Sequence, residues 1–529
     1  MHSNRHDAGA AQAPRSASDT LAPGSGNNGS RHPLRWPGRL GLGLAVTLAL
    51  AGCAVGPDFS APKLPAQANA YSDTALPTTT AAAPAAGPTG AAQRLVYGQD
   101  LPAQWWDLFH SEPLNQLIRR ALEQNPTLAS AQASLREARE NFNATAGTLD
   151  YPSVSGQLGA TRERSTSLSA TPSVFNLYNA SVNVSYTLDV FGGSRRQLEG
   201  MKAAVDYQRY EVEATYQSLV SNVVTTAIQE ASLRAQIDAT QAVLAAQQRQ
   251  LDVVRKQLAL GAVSSSAVLS QATLVAQTRA QLPPLEKSLA QARHQLAVYV
   301  GAFPGEGGLP EFRLDSLQLP PELPVSLPSE LARQRPDIQA SEALLHQASA
   351  QVGVATANLY PQISLSGSYS LNRVDMSVGG ASSTLWSLGA GITQPLFNGG
   401  SLRAKRRAAD AAYDQAAAAY RETVLKAFQN VADALRAVDA DATALNAQAD
   451  AVGQAKKSLD ISTRQYALGS ISYVSLLDSE RSYQQAQVAF ATARAARLAD
   501  SAALFVALGG GWWNRTEQGA AAVAPPARF

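Results

Sequence analysis

The chain is predicted to be an α+β membrane protein, a tandem-repeat subunit whose amphipathic strands supply part of a shared β-barrel and whose very long helices continue it as a coiled-coil tube. Three features of the 529 residues carry this prediction. Landmark residues recur about 208 positions apart, four stretches of about ten residues alternate apolar and polar, and two proline-free runs of 67 and 68 residues follow those stretches.

Composition sets the bounds. Charged residues are 16% of the chain, below the usual quarter or so, and the long middle stretches are rich in Ala, Gln, Leu, Ser and Val, as packed helices with some sheet would be. The formal net charge is +2. Five basic residues and two acidic ones precede Cys53, which leaves 38 basic and 39 acidic beyond it. A balanced chain gives no electrostatic case for nucleic acid. Cys53 is the only cysteine, so one chain builds neither a disulfide framework nor a thiolate cluster. The six histidines are scattered without ligand spacing, so no metal site and no cofactor are expected.

The first element, residues 1–52, reads as an extended signal peptide. Arg31, Arg35 and Arg39 precede the apolar run Leu40 to Ala51, too short to span a bilayer and of the length of a secretory apolar core. Leu50-Ala51-Gly52-Cys53 looks like a bacterial lipobox, in which the Cys becomes the acylated N-terminus after cleavage. Each buried CH2 of such acyl chains contributes roughly 0.8 kcal/mol, so more than one chain anchors durably. An ordinary signal peptide with an incidental Cys is the alternative. Ala54 follows where an Asp would suggest retention at the inner membrane, so outer-membrane sorting is favoured. Residues 53–100 then read as a tether, rich in Ala, Pro and Thr without apolar period.

Two repeats follow, at 101–302 and 329–510, joined by a Pro-rich linker, 303–328. Asn125-Pro126 answers Arg335-Pro336, Tyr151-Pro152 answers Tyr360-Pro361, Phe191-Gly192-Gly193-Ser194 answers Phe397-Asn398-Gly399-Gly400-Ser401, Leu260-Gly261 answers Leu468-Gly469, and Gly301 answers Gly509. The offsets stay between 206 and 210 in chain order, the signature of two copies of one supersecondary unit. Each copy is expected to run helix (Pro126 to Gly147; Pro336 to Leu359), two strands (about 152–190; about 361–396), one very long helix, a tight Gly turn, and a shorter helix, the helices covering about 194–300 and about 400–508. Residues 511–529 are expected to be a disordered tail.

The strands alternate. From Ser181 to Val190, Val182, Val184, Tyr186, Leu188 and Val190 interleave with Ser181, Asn183, Ser185, Thr187 and Asp189. Gln362 to Leu371 repeats the pattern with Ile363, Leu365, Tyr369 and Leu371 against serines. Ser153 to Thr161 and Leu385 to Leu396 are weaker versions, the latter with Trp386, Leu388, Ala390 and Ile392 on one parity. An apolar outside and a hydroxyl-rich inside suit tilted strands of a transmembrane barrel, although a soluble sandwich strand would alternate too. The helices separate these readings. Ser194 to Leu260 and Ser401 to Leu468, at 1.5 Å per residue, would each span roughly 100 Å. Ile237, Leu244, Leu251 and Leu258 recur every seven residues, and Leu445, Val452, Leu459 and Tyr466 repeat them 208 further on. A sustained seven-residue period indicates supercoiled packing, so a coiled-coil stalk without a channel is the competing reading.

Four strands cannot close a barrel, because side chains already fill the interior at about eight. An open sheet facing lipid would leave backbone groups unpaired at several kcal/mol each. Several chains must share one barrel: two would leave essentially no lumen, whereas three would give twelve strands and an aqueous bore. No nucleotide-binding loop, zinc-protease helix or nucleophile elbow occurs, so no catalytic residues are expected and energy for any transport must come from a partner.

These features resemble the TolC-type outer-membrane efflux factors, particularly the lipoprotein branch that serves resistance-nodulation-division pumps. The resemblance is carried by Cys53 with Gly56-Pro57-Asp58-Phe59, Trp105-Trp106, the paired strand exits, and the Leu-Gly-Ala-Val-Ser and Leu-Gly-Ser-Ile-Ser turns leading to Leu269-Ser270 and Leu477-Asp478. It covers roughly residues 53–510 in order. It implies a homotrimer with a twelve-stranded outer-membrane barrel on a periplasmic tube of twelve helices, passively conducting drugs and toxic compounds outward, coupled to a periplasmic adaptor and an inner-membrane pump. The adaptor would dock at the tips formed by Gly261, Ala262, Val263 and Ser264 and by Gly469, Ser470, Ile471 and Ser472. Tyr466, Val474, Asp478 and Arg481 resemble the family's periplasmic gate. Threefold symmetry would then gather three Asp478 carboxylates into a cation-attracting ring, and only one such ring per trimer is implied at this level, because the first repeat has Ser270 at that point. Val474 replaces a Leu of the family's gate, and Ser475 stands where some members carry a second Asp. A periplasmic adaptor or structural coiled-coil lipoprotein, with one helical hairpin beside soluble sheets, is the alternative.

Overall fold

The structure, a computed structural model, describes residues 54–63, 70–71, 77–166, 172–376 and 379–515. Its elements are β1 (Arg94–Tyr97), α1 (Glu112–Gln124), α2 (Pro126–Leu149), β2 (Ser153–Thr166), β3 (Pro172–Leu188), α3 (Gly193–Ala259), α4 (Ser265–Ala280), α5 (Leu282–Tyr299), β4 (Glu322–Val325), α6 (Pro328–Gln334), α7 (Pro336–Ala357), β5 (Gln362–Met376), β6 (Gly380–Thr393), α8 (Ser401–Ala467) and α9 (Tyr473–Ala507). The repeat is visible in this order, with α2-β2-β3-α3 answered by α7-β5-β6-α8.

Each repeat starts at a proline because the ring presets φ and removes an N–H that would be unpaired at a helix start. The preceding residue ties that start to the end of the same repeat. Asn125 accepts from the N–H groups of Thr127 (2.9 Å) and Leu128 (3.1 Å) and donates to the Tyr299 carbonyl at 2.9 Å. Arg335 does the corresponding work by donating to the Ala507 carbonyl at 2.8 Å.

The long helices are continuous over 67 residues each, roughly 100 Å. Ile237, Leu251 and Leu445 of the seven-residue series are buried within the single chain. The core lies as a belt around the middle of the helices. There Val220, Val223, Val224 and Ala227 of α3, Val431, Leu435 and Val438 of α8, and Leu498, Leu504 and Phe505 of α9 meet Trp105, Phe109, Phe312 and Leu323. Glu230 of α3 is fully buried, and one of its carboxylate oxygens is paired with both Arg293 at 2.7 Å and Arg234 at 3.0 Å. Arg234 and Arg293 also hold the linker, through Glu311 and the Leu309 and Pro310 carbonyls.

The structure corrects several expectations. The described parts of the tether, 54–63, 70–71 and 77–100, are docked rather than free. Arg196 of α3, 5% exposed, binds Asp58 at 2.5 Å; Phe59 stacks on His346 at 4.2 Å; and fully buried Arg497 donates to the Ala81 and Ala91 carbonyls and the Thr80 hydroxyl. Residues 94–97 become β1, paired in parallel with β4 inside the linker, Leu95 opposite Leu323. The helix closing repeat 1 is broken into α4 and α5 at Gln281, ahead of Pro283-Pro284, whereas α9 runs unbroken over 35 residues. Residues 511–515, expected in the tail, are docked on the body of the chain. Trp512–Asn514 form a 3₁₀ turn, the Trp512 indole donates to the Gln334 carbonyl, and Arg515 pairs with Glu213 at 2.8 Å.

Strand wall and helical tip

Strands β2-β3-β5-β6 form one antiparallel sheet in that order. They are 14 to 17 residues long, longer than the alternation predicts. The ladder continues into polar ends such as Arg162–Thr166 and Asn372–Met376, where backbone hydrogen bonds hold the pairing. The register aligns the four alternations. One face carries the row Gly156, Val182, Tyr369, Trp386 and, two residues along, Leu158, Ala180, Leu371, Thr384. The other carries Ser153, Ser185, Ser366 and Gly389, then Gln157, Ser181, Ser370 and Leu385.

Hydrogen bonds cross the polar face between neighbouring strands: Ser153 with Ser185 at 2.7 Å, Asn179 to Asn372 at 2.6 Å, and Ser368 with Ser387 at 2.8 Å. The apolar face is bare. Leu158 is 87% exposed, Leu388 82% and Trp386 71%. A contiguous apolar patch of this size marks a surface that something apolar covers. The apolar rows run from Leu188 to Tyr178 along β3. Ten residues at about 3.3 Å and a tilt of about 40° rise about 25 Å, the height of the apolar band of an outer-membrane barrel. Beyond Tyr178 the same parity turns polar, with Arg162, Asn176 and Asp375 in one row.

At the far end the hairpins turn at Gly261 and Gly469. Both have φ near +70° and close the helix with paired bonds: Gly261 N–H to Leu258 and Ala262 N–H to Gln257 at 2.8 Å each, Gly469 to Tyr466 at 3.0 Å and Ser470 to Gln465 at 2.9 Å. Glycine occupies this left-handed position without steric cost. Ser264 and Ser472 N-cap the returning helices, and Ser472 accepts from the Ser475 N–H. Gly261, Ala262, Gly469 and Ser470 are exposed, Val263 and Ile471 half-buried. Leu260 and Leu468 project into solvent at matching points of the two turns.

The gate candidates divide. Tyr466 is half-buried; its hydroxyl donates to Gln257 of α3 at 3.3 Å, and burial pushes its pKa up. Val474 is 62% exposed. Asp478 and Arg481 are exposed on one face of α9, 3.8 Å apart, a loose contact between solvated charges.

Beside them lies a buried network that sequence reasoning missed. Tyr473 packs 5.2 Å from the Tyr466 ring, and its hydroxyl donates to Gln271 of α4. Gln271 is fully buried and donates to the Gln247 carbonyl at 3.0 Å. Glu480 faces the same Gln271, and burial raises its pKa. Farther along, Gln484 donates to Gln281, the residue at the break between α4 and α5. These bonds tie the second hairpin to the first. The one available sequence signal was Tyr466 and Tyr473 flanking Gly469, since a single Gln or Glu on a helix does not announce its partner. Cys53 lies outside the described residues.

A model of the outer membrane efflux protein family matches residues 117–302 and 327–510. The pyoverdine export outer membrane protein OpmQ of Pseudomonas aeruginosa is 33% identical over 421 residues, 77% of this chain and 87% of that one. The cation efflux system protein CusC of Escherichia coli O6:H1 is 30% identical over 480 residues, 89% of this chain and 98% of its own. Among solved structures, the outer-membrane channel OprN superposes with a TM-score of 0.75 at 28% identity, covering 87% of this chain and all of that one. The sheet with a bare apolar face and a polar face, continued by paired long hairpins, is the corresponding architecture, and the single-hairpin adaptor alternative falls away. The chain belongs to the outer membrane efflux protein family and is a subunit of an outer-membrane efflux channel.

Proposed function

We propose that three copies close one twelve-stranded barrel, and that the assembly is a passive conduit coupled to a periplasmic adaptor and an inner-membrane pump. The observation that carries this is the sheet itself. Its apolar face is bare and its edge strands β2 and β6 have no partner on their outer sides among the described residues. Lipid tolerates the first and forbids the second, so the edges must meet other copies. The polar face then lines the bore.

Acylated Cys53 supplies a membrane anchor. The residues that follow it support this placement: the Val55 N–H donates to Phe191 at 3.1 Å, and Ala54 sits against Gly192, where β3 leaves the sheet. Leu260 and Leu468 at the exposed turns give the adaptor an apolar surface to cover. Asp478, Arg481, Tyr466 and Val474 form the gate, with three Asp478 carboxylates around the axis. OpmQ is named for pyoverdine and CusC for cations, a spread of cargo that fits selection by the pump rather than by the wall.

The test is reconstitution into planar bilayers. Trimeric particles that conduct, and whose membrane attachment weakens in Cys53→Ser, support the reading. Particles that release as monomers when the acyl anchor is removed, and that never conduct, refute it.

A further inference from the structure

The internal repeat fixes how the barrel closes, and this inference rests on the three-copy reading above. Gly192 and Gly400 cap α3 and α8, 208 positions apart, and Pro152 and Pro361 precede β2 and β5, 209 apart. Applied to the first pair of the β2/β3 ladder, Ser153 opposite Ser185, these spacings give Gln362 opposite Thr393, which is the first pair of the β5/β6 ladder. The two hairpins are therefore equivalent residue by residue.

The sheet has one junction between hairpins, β3 with β5, in which Ser181 faces Ser370 and Val182 faces Tyr369. The same spacings carry that junction to the two open edges. We propose that β6 of one copy pairs antiparallel with β2 of the next in the register Gly389 opposite Thr161, Ala390 opposite Ala160, Gly391 opposite Gly159 and Ile392 opposite Leu158.

The chemistry of the two edges agrees. Parity is preserved, so apolar Ile392 and Ala390 meet Leu158 and Ala160, while Gly391 and Gly389 meet Gly159 and Thr161 on the polar side. A slip of one residue would put every side chain on the wrong face. Farther out, Arg164 falls opposite Trp386, where a guanidinium can lie over the indole, and Glu163 falls opposite Ser387. Leu396 and Phe397, 93% and 92% exposed at the foot of β6, gain a neighbour at Val154. The helices below follow. Within the chain, α3 packs on α7 with Glu199 bound to His346 at 2.8 Å. The equivalent positions across copies are Arg407 of α8 and Glu137 of α2, both exposed in the single chain, so side chains of opposite charge meet where the single chain has its Glu199–His346 hydrogen bond.

The test is cysteine cross-linking in outer-membrane vesicles. Ala390→Cys with Ala160→Cys, and separately Gly391→Cys with Gly159→Cys, should oxidise to covalent trimers on a non-reducing gel. Directly opposite Cβ atoms are about 4.5–5.5 Å apart and diagonal ones about 7–8 Å. Ala390→Cys with Leu158→Cys or with Arg162→Cys, each two residues off, should therefore link at least about fivefold less. Better linking by a shifted pair overturns the register and leaves the trimer standing. Particles that are trimeric by light scattering but link at no pair show that other edges meet, which also overturns it. Monomeric, folded particles overturn the three-copy reading itself. If a double variant fails to assemble, Leu388→Cys with Arg162→Cys, whose side chains point away from the bore, gives the same decision.

Discussion

Two tyrosine hydroxyls hold the helical tip together, and removing them should open it. In the Tyr466→Phe, Tyr473→Phe double variant the rings and their 5.2 Å contact remain, while the bonds to Gln257 and Gln271 vanish. A neutral hydrogen bond contributes about 1 kcal/mol net, and a buried acceptor left unpaired costs about 1–3 kcal/mol. Gln271 is such an acceptor, whereas Gln257 keeps access to water. A loss of about 2 kcal/mol per chain shifts the closed-to-open ratio about 25-fold. Single-channel recording in planar bilayers should show open probability rising steeply without a change in full-open conductance. Tyr466→Phe placed on Gln257→Ala should add almost nothing, because the two share one interaction. An open probability unchanged within about twofold, with trimers and helix content intact, would refute the tip latch.

Three other outcomes follow from charge. Burial raises the Glu480 pKa, so the packed tip favours its protonated form; stability there falls as pH rises from the unfolded value through the raised one, and the gate should loosen. Glu480→Gln should remove that pH dependence from open probability. Asp441 is pushed up to about 7 by burial and by Asp500 beside it, so the folded chain should lose stability between about pH 4 and 7; Asp441→Asn should flatten Tm across that window, and an unchanged profile would count against it. Asp478→Ala should raise conductance and weaken block by divalent cations, since its ion pair with Arg481, at 3.8 Å, is loose and leaves the carboxylate exposed; equal conductance and block would exclude Asp478 from the constriction.

The parts of the fold that were legible in the sequence are those written as periods. Two-residue alternation located four strands and assigned their faces, the proline-free runs located the long helices, and the seven-residue series showed that they pack on one another. The 208-residue recurrence of Leu260-Gly261 at Leu468-Gly469 located both turns. What escaped is held by partners remote in sequence. Residues 77–93 show no apolar period because they bind through backbone carbonyls: Arg497 reaches Ala81 and Ala91, more than 400 positions away. β1 was invisible for the same reason, its partner β4 lying in the linker. The break between α4 and α5 was written in Pro283-Pro284, yet the landmark Gly301 favoured a single helix. At the tip, Asp478 was found through its place in a family pattern, whereas Tyr473, Gln271 and Glu480 work through burial, which becomes visible only when two hairpins pack.

The central claim is that one chain supplies a third of a barrel. Native mass measurement of detergent-extracted particles, paired with gel mobility before and after heating, tests it most directly. The account predicts a particle of three chains that conducts, resists dissociation at room temperature, and collapses to single chains on boiling. A folded, conducting particle of any other stoichiometry would contradict it.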